Sequence, residues 1–112
     1  MRDDSERLHD ILDAISKLQN YSKSHSESHN ISEIELMGLV KCIEIIGEAC
    51  RCLSEDFRVK YNHVPWRQIA NMRNILAHQY FEIDTDKVEL VIKKNIPELK
   101  KQVEEILHDA FT

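Results

Sequence analysis

At 112 residues the chain fits one domain and no more, long enough to bury a core without disulfide or metal staples. An apolar share of 42% with a charged share of 31% excludes a disordered segment, and a net charge of −5 excludes a generic nucleic-acid binder relying on a broad phosphate-neutralising surface. With only 2 Gly and 2 Pro, connections are few, and the reading is all-α, an up-and-down bundle of four to five helices. No stretch approaches the roughly 18 apolar residues of a membrane span, and the opening Met1-Arg2-Asp3-Asp4 is acidic with no apolar signal region after it, so the expectation is a cytoplasmic protein with no membrane contact.

Leu8, Ile11, Leu12, Ile15 and Leu18 recur at helical spacing behind Asp3 or Asp4 as N-cap, predicting a first amphipathic helix over residues 4 to about 21. Residues 22–30, with four serines, break the periodicity and read as a solvated loop, and His25 and His29 within it lack the further ligands a metal site needs. Ser32 followed by Glu35 is a capping-box signature and opens a second helix running to about Leu53 or Ser54. Its apolar residues form two rows, one through Leu36, Leu39, Val40, Ile43, Ile46, Cys50 and Leu53, the other through Met37, Ile45, Ala49 and Cys52, so burial on more than one side is expected.

Both glycines lie inside this helix, at Gly38 and Gly47, where each costs about 1 kcal/mol relative to Ala. Nine residues apart they face opposite ways, implying close packing on two faces, one against the core and one against a partner subunit; a tolerant position near the helix start would also explain Gly38. Cys42, Cys50 and Cys52 fall in the same segment, Cys42 and Cys50 roughly 12 Å apart along the axis, too far to bridge, and read as reduced, buried thiols.

Residues 55–63 read as a polar connection, after which Pro65 suits the first position of a third helix bearing Trp66, Ile69, Ala70, Met72 and Leu76 and ending near His78. Asp84 can cap a fourth helix with Val88, Val91 and Ile92, and Pro97 kinks or restarts the chain into a fifth with Leu99, Val103, Ile106, Leu107 and Ala110.

Charge is unevenly spread. Residues 51 to 81 carry 5 basic and 2 acidic side chains, a balance of +3, whereas the segments on either side are acidic. No Gly-rich phosphate loop, Cys-x-x-Cys pair or serine nucleophile elbow occurs. What remains is a polar cluster of Arg67, Arg73, Asn74, His78 and Tyr80 at an otherwise apolar helix end. Asn74 and His78 are four apart and share a face, so the amide can orient the imidazole. Arg73 and His78, five apart, point about 140° away from each other on a regular helix, so the helix end distorts or the groups converge across a two-fold interface.

An imidazole with a guanidinium suits phosphodiester cleavage without a metal or other cofactor: His78 as general acid or base, Arg73 to hold phosphate and offset developing charge. The same two residues are also explained by His78 capping a helix C-terminus and by a surface Arg73.

The string Arg73, four residues, His78, one residue, Tyr80 resembles the Arg-x4-His-x-Tyr motif of HepT-like proteins of the HEPN superfamily, and Asn74 matches the polar residue usual after that Arg. Ile46-Gly47-Glu48-Ala49, Pro65-Trp66-Arg67 and Phe81-Glu82-Ile83-Asp84 are similar to the family's flanking segments in order and spacing, so the resemblance spans roughly residues 4 to 108. It implies a dimerising HEPN bundle and a homodimeric, metal-independent RNA endonuclease toxin of a type VII-like toxin–antitoxin pair, acting on tRNA or mRNA, with the motif residues of both protomers meeting in a cleft. It also implies a minimal nucleotidyltransferase antitoxin that transfers AMP to the motif tyrosine. Carried over, Arg73 and His78 are catalytic, Asn74 and Glu48 supporting, and Tyr80 the modified residue; a helix-surface salt bridge with Arg51 or neighbours on the Cys52 side explains Glu48 nearly as well. The alternative function is a non-catalytic subunit presenting Tyr80 to the nucleotidyltransferase.

Overall fold

The computed structural model describes residues 3–24, 31–72, 74 and 85–111. Helix α1 spans Asp4–Ser24, opened by the Asp3 carboxylate, which accepts from the Glu6 backbone N–H at 2.8 Å. Its buried residues Leu8, Ile11, Ala14, Ile15 and Leu18 form one stripe. The helix runs one turn beyond the expected end because Ser24 Oγ donates back to the Asn20 carbonyl at 2.9 Å.

Helix α2, Glu33–Arg51, starts with the expected capping box: Ser32 Oγ accepts from Glu35 N–H at 3.1 Å, and Glu35 Oε1 accepts from Ser32 N–H at 3.2 Å. It stops short of Leu53 because Ser54 caps the next helix instead. α1 and α2 pack antiparallel and are tied at both ends. Near the loop joining them, the Tyr21 hydroxyl donates to Glu35 Oε2. At the far end Asp4 accepts from Ser54 twice, from the backbone N–H at 2.9 Å and from the hydroxyl at 2.7 Å.

Residues 55–63 correct the sequence reading. They contain helix α3, Glu55–Lys60, capped by Ser54 Oγ accepting from Phe57 N–H at 3.2 Å. The overlooked signal is Ser54 ahead of Glu55 and Asp56, an N-cap with acidic residues in the first turn; a single apolar anchor, the buried Phe57, replaced the stripe that longer helices show. Helix α4, Trp66–Ala70, follows Pro65. Trp66 is buried as expected, against Phe57, with its indole N–H donating to the Tyr61 carbonyl at 3.0 Å.

Helix α5, Thr85–Leu90, passes through a π-helical turn, Val91–Asn95, into helix α6, Ile96–Phe111, without a break. The Pro97 ring would clash with the carbonyl four residues back in a regular helix. The widened turn, in which Ile96 N–H bonds to Val91 O, precedes it and admits it without a restart.

The architecture is the all-α HEPN-type bundle that the sequence implies: α1 packs on α2 and α6, and α4 on α2. One core joins Leu8, Ile15, Ile43, Ile46, Val64, Val88, Ile96 and Val103, and no charged residue is buried among the described ones. In the second row of α2 Ala49 is buried within the chain, whereas Met37 and Ile45 are 60% and 36% exposed, as is Ile34 beside them at 81%. No described element covers that side. Among the described residues no helix is long and apolar enough to cross a membrane.

Candidate active-site groove

The candidate groove lies beside the place where α4 meets α2. A Cβ on Gly47 would lie 3.0 Å from the carbonyl oxygen of Ala70 and 3.3 Å from that of Ile69. The missing side chain lets the end of α4 rest on the α2 backbone. Beyond Ala70 the chain tightens: Asn71 N–H bonds to the Arg67 and Ile69 carbonyls, and Asn74 N–H to the Asn71 carbonyl at 3.0 Å. Gly47 thereby fixes how the end of α4 rests on α2. Gly38 differs: a Cβ there would meet nothing within 4 Å among the described residues, so the close approach expected at Gly38 is not made by any of them.

Beside this contact lies an open groove of about 500 Å³. Its walls are Arg7 and Asp10 of α1, Lys41, Glu44, Glu48 and Arg51 of α2, and Asn71 and Asn74 after α4, with Gly47 and Ala70 at the junction. Of the residues singled out from sequence, the fold thus brings Asn74 and Glu48 to one cavity. Arg67 is exposed and is not part of its lining. Arg73, His78 and Tyr80, and the expected helix end near His78, lie outside the described residues, as do His25 and His29.

Glu48 forms the ion pair that sequence spacing suggested. Arg51 donates to it from Nη2 at 2.6 Å and Nε at 3.1 Å, and Cys52 Sγ donates to Oε1 at 3.5 Å. The Arg51 hydrogen bond, above all, holds the Glu48 carboxyl below its usual range, with Cys52 and the charge of Arg7 pulling the same way. Glu48 is therefore a fixed anion on the groove wall at neutral pH.

Sequence reasoning missed Arg7. Its Nε is closed to solvent and finds no hydrogen-bond partner among the described residues. The only available signal was its position one turn before Asp10 at the margin of the apolar stripe of α1. The cysteines are free: Cys50 is fully buried, its thiol pushed up to about 12 by that burial, while Cys42 and Cys52 are partly accessible.

Comparison with known proteins decides the family. Residues 11–106 match the model of the family described as ribonuclease HepT-like. The chain belongs to that family. It is 39% identical over 110 residues to a "Putative RNase" of Methanocaldococcus jannaschii, covering 96% of this chain and 90% of that one. It is 30% identical over 106 residues to a "Probable ribonuclease HepT" of Thermococcus cleftensis, covering 94% and 96%. A further M. jannaschii relative, "Gamma-glutamylcyclotransferase and putative RNase", is 39% identical over 103 residues, and this chain spans 46% of its length. No solved structure gives a significant match.

Proposed function

We propose that this HepT-like protein is a cytoplasmic RNA endonuclease toxin that needs no metal, works as a homodimer and is silenced by AMP transfer to Tyr80. One observation carries the reading: Asn74, inside the stretch from Arg73 to Tyr80, opens onto the same groove as the fixed anion Glu48. In this reading His78 moves the proton of the ribose 2′-hydroxyl or of the leaving oxygen, and Arg73 neutralises charge on the phosphorane. Asn74 orients the imidazole, and Glu48 sets the electrostatics of the wall.

The uncovered face of α2 supports the dimer. Ile34, Met37, Lys41 and Ile45 follow one another at helical spacing around the bare Gly38. A second copy laid antiparallel there buries the apolar side chains and sets Lys41 against Glu44 of its mate, a self-complementary pairing suited to a two-fold axis. The two sets of motif residues then face one cleft. A minimal nucleotidyltransferase is the antitoxin: an AMP on Tyr80 adds bulk and negative charge two residues from His78 and repels RNA.

The test is cleavage of tRNA and mRNA in excess chelator, with Arg73→Ala, His78→Ala and Gly38→Trp beside the wild type. Loss of cutting by about 100-fold or more in the first two supports the reading, as does a Gly38→Trp protein that is monomeric and inactive. Cutting that survives His78→Ala contradicts it.

A further inference from the structure

The groove contains more cationic binding capacity than the motif alone supplies. Among the described residues three basic side chains line it, Arg7, Lys41 and Arg51. The Arg51 guanidinium is taken up by Glu48 through two of its nitrogens. Arg7 is placed differently. It reaches the groove from α1, which the antiparallel packing of α1 on α2 sets alongside Glu48 and Asn74 although Arg7 lies far from both in sequence. Its Nε–H is shut off from water and has no acceptor among the described residues. A donor in that condition is unfavourable, and a turn of the side chain that brings it to an acceptor in the groove relieves the cost.

Arg58 of α3 has the same closed Nε, so the orphaned donor alone marks nothing. Arg58 does not line the groove, and Arg7 combines the orphan with the groove and with a neighbour of the motif. A planar guanidinium with spare N–H groups suits a phosphate, which it can grip with two parallel hydrogen bonds. Asp10, Glu44 and Glu48 on the same walls keep the groove from attracting polyanions indiscriminately, leaving Arg7 as a local docking point.

We propose that Arg7 is a substrate-binding residue that takes a backbone phosphate of the RNA strand in this groove. This rests on the ribonuclease reading and adds to it a contact from outside the motif. Arg7 fixes the register of the strand, and the chemistry stays with the motif.

The experiment measures binding of a fluorescein-labelled single-stranded oligoribonucleotide to His78→Ala protein by anisotropy, over a range of salt concentrations, with Arg7→Gln, Arg7→Lys or Arg58→Gln added. Arg7→Gln is expected to weaken binding about tenfold and to lower the slope of log affinity against log salt by about 0.7, the loss of one phosphate contact on a single strand. Arg7→Lys, which keeps charge but not the fork, is expected to recover the slope and part of the affinity; Arg58→Gln is expected to change neither. Unchanged affinity in Arg7→Gln, or weaker binding with an unchanged salt slope and a lowered melting temperature, overturns the proposal and leaves the ribonuclease reading intact. Failure of the His78→Ala parent to bind RNA at all removes both.

Discussion

The two glycines of α2 separate two kinds of surface on one helix. At Gly47 the chain closes on itself: α4 sits against the α2 backbone, and Ile43, Ile46 and Cys50 around it are fully buried. At Gly38 none of the described residues comes near, and Ile34, Met37 and Ile45 around it are exposed. Both positions look alike in sequence, a helix-interior glycine among apolar residues. The same composition therefore serves two purposes, internal packing that seats α4 on α2 and an outer face that no described element covers.

The largest expected effect that sharpens this contrast comes from truncation on the inner face. Ile43→Ala removes a fully buried side chain and should cost about 2–5 kcal/mol, whereas Met37→Ala on the outer face should cost under about 0.5 kcal/mol in dilute, monomeric protein. Denaturant unfolding of both variants at low concentration measures the difference. Next, Gly47→Val drives new atoms into the carbonyls of Ile69 and Ala70, which are backbone and cannot swing away. A loss of about 1–3 kcal/mol is expected, with RNA cleavage falling further than stability alone explains because the end of α4 and Asn74 beyond it shift against the groove. Gly38→Ala should move the opposite way, raising the stability of the monomer by about 1 kcal/mol.

A smaller effect concerns the tie between α1 and α2. The Tyr21 phenol is pushed up to about 12, first by burial and then by its hydrogen bond to Glu35 and that carboxylate's charge. Because the folded value is raised above the ordinary 10.0, its contribution is complete below about pH 10 and is lost as pH climbs toward 12. Tyr21→Phe should lower stability by about 1–2 kcal/mol at pH 8 and flatten the alkaline decline. Melting curves between pH 8 and pH 11 read both. The smallest effect is chemical: a thiol reagent should modify Cys52 and Cys42 in the native protein well before Cys50, whose burial disfavours the thiolate.

Much of this was legible in the sequence, for definable reasons. The stripe of α1, the Ser32–Glu35 capping box, the Trp66 core position and the Glu48–Arg51 pair all depend on residues within a few positions of one another, so spacing alone carries them. α3 was not read because a six-residue helix with one apolar anchor has no periodicity to detect. The π-helical turn before Pro97 was not read because proline announces a break in regular geometry but not how the chain absorbs it. Which row of α2 stays bare, and that Arg7 shares a groove with Glu48 and Asn74, depend on how helices distant in sequence pack. Of the motif stretch the described residues place Asn74 at the groove's edge; its opposite wall comes from the packing of α1 on α2, which spacing does not reveal.

The most direct measurement is the fate of an RNA strand with a single 2′-deoxy nucleotide at the cleavage position, incubated in chelator beside its all-ribose twin. The account predicts that the twin is cut to a 2′,3′-cyclic phosphate end while the substituted strand is bound but left whole. Equal cutting of both strands, or products ending in a 3′-hydroxyl, would contradict it.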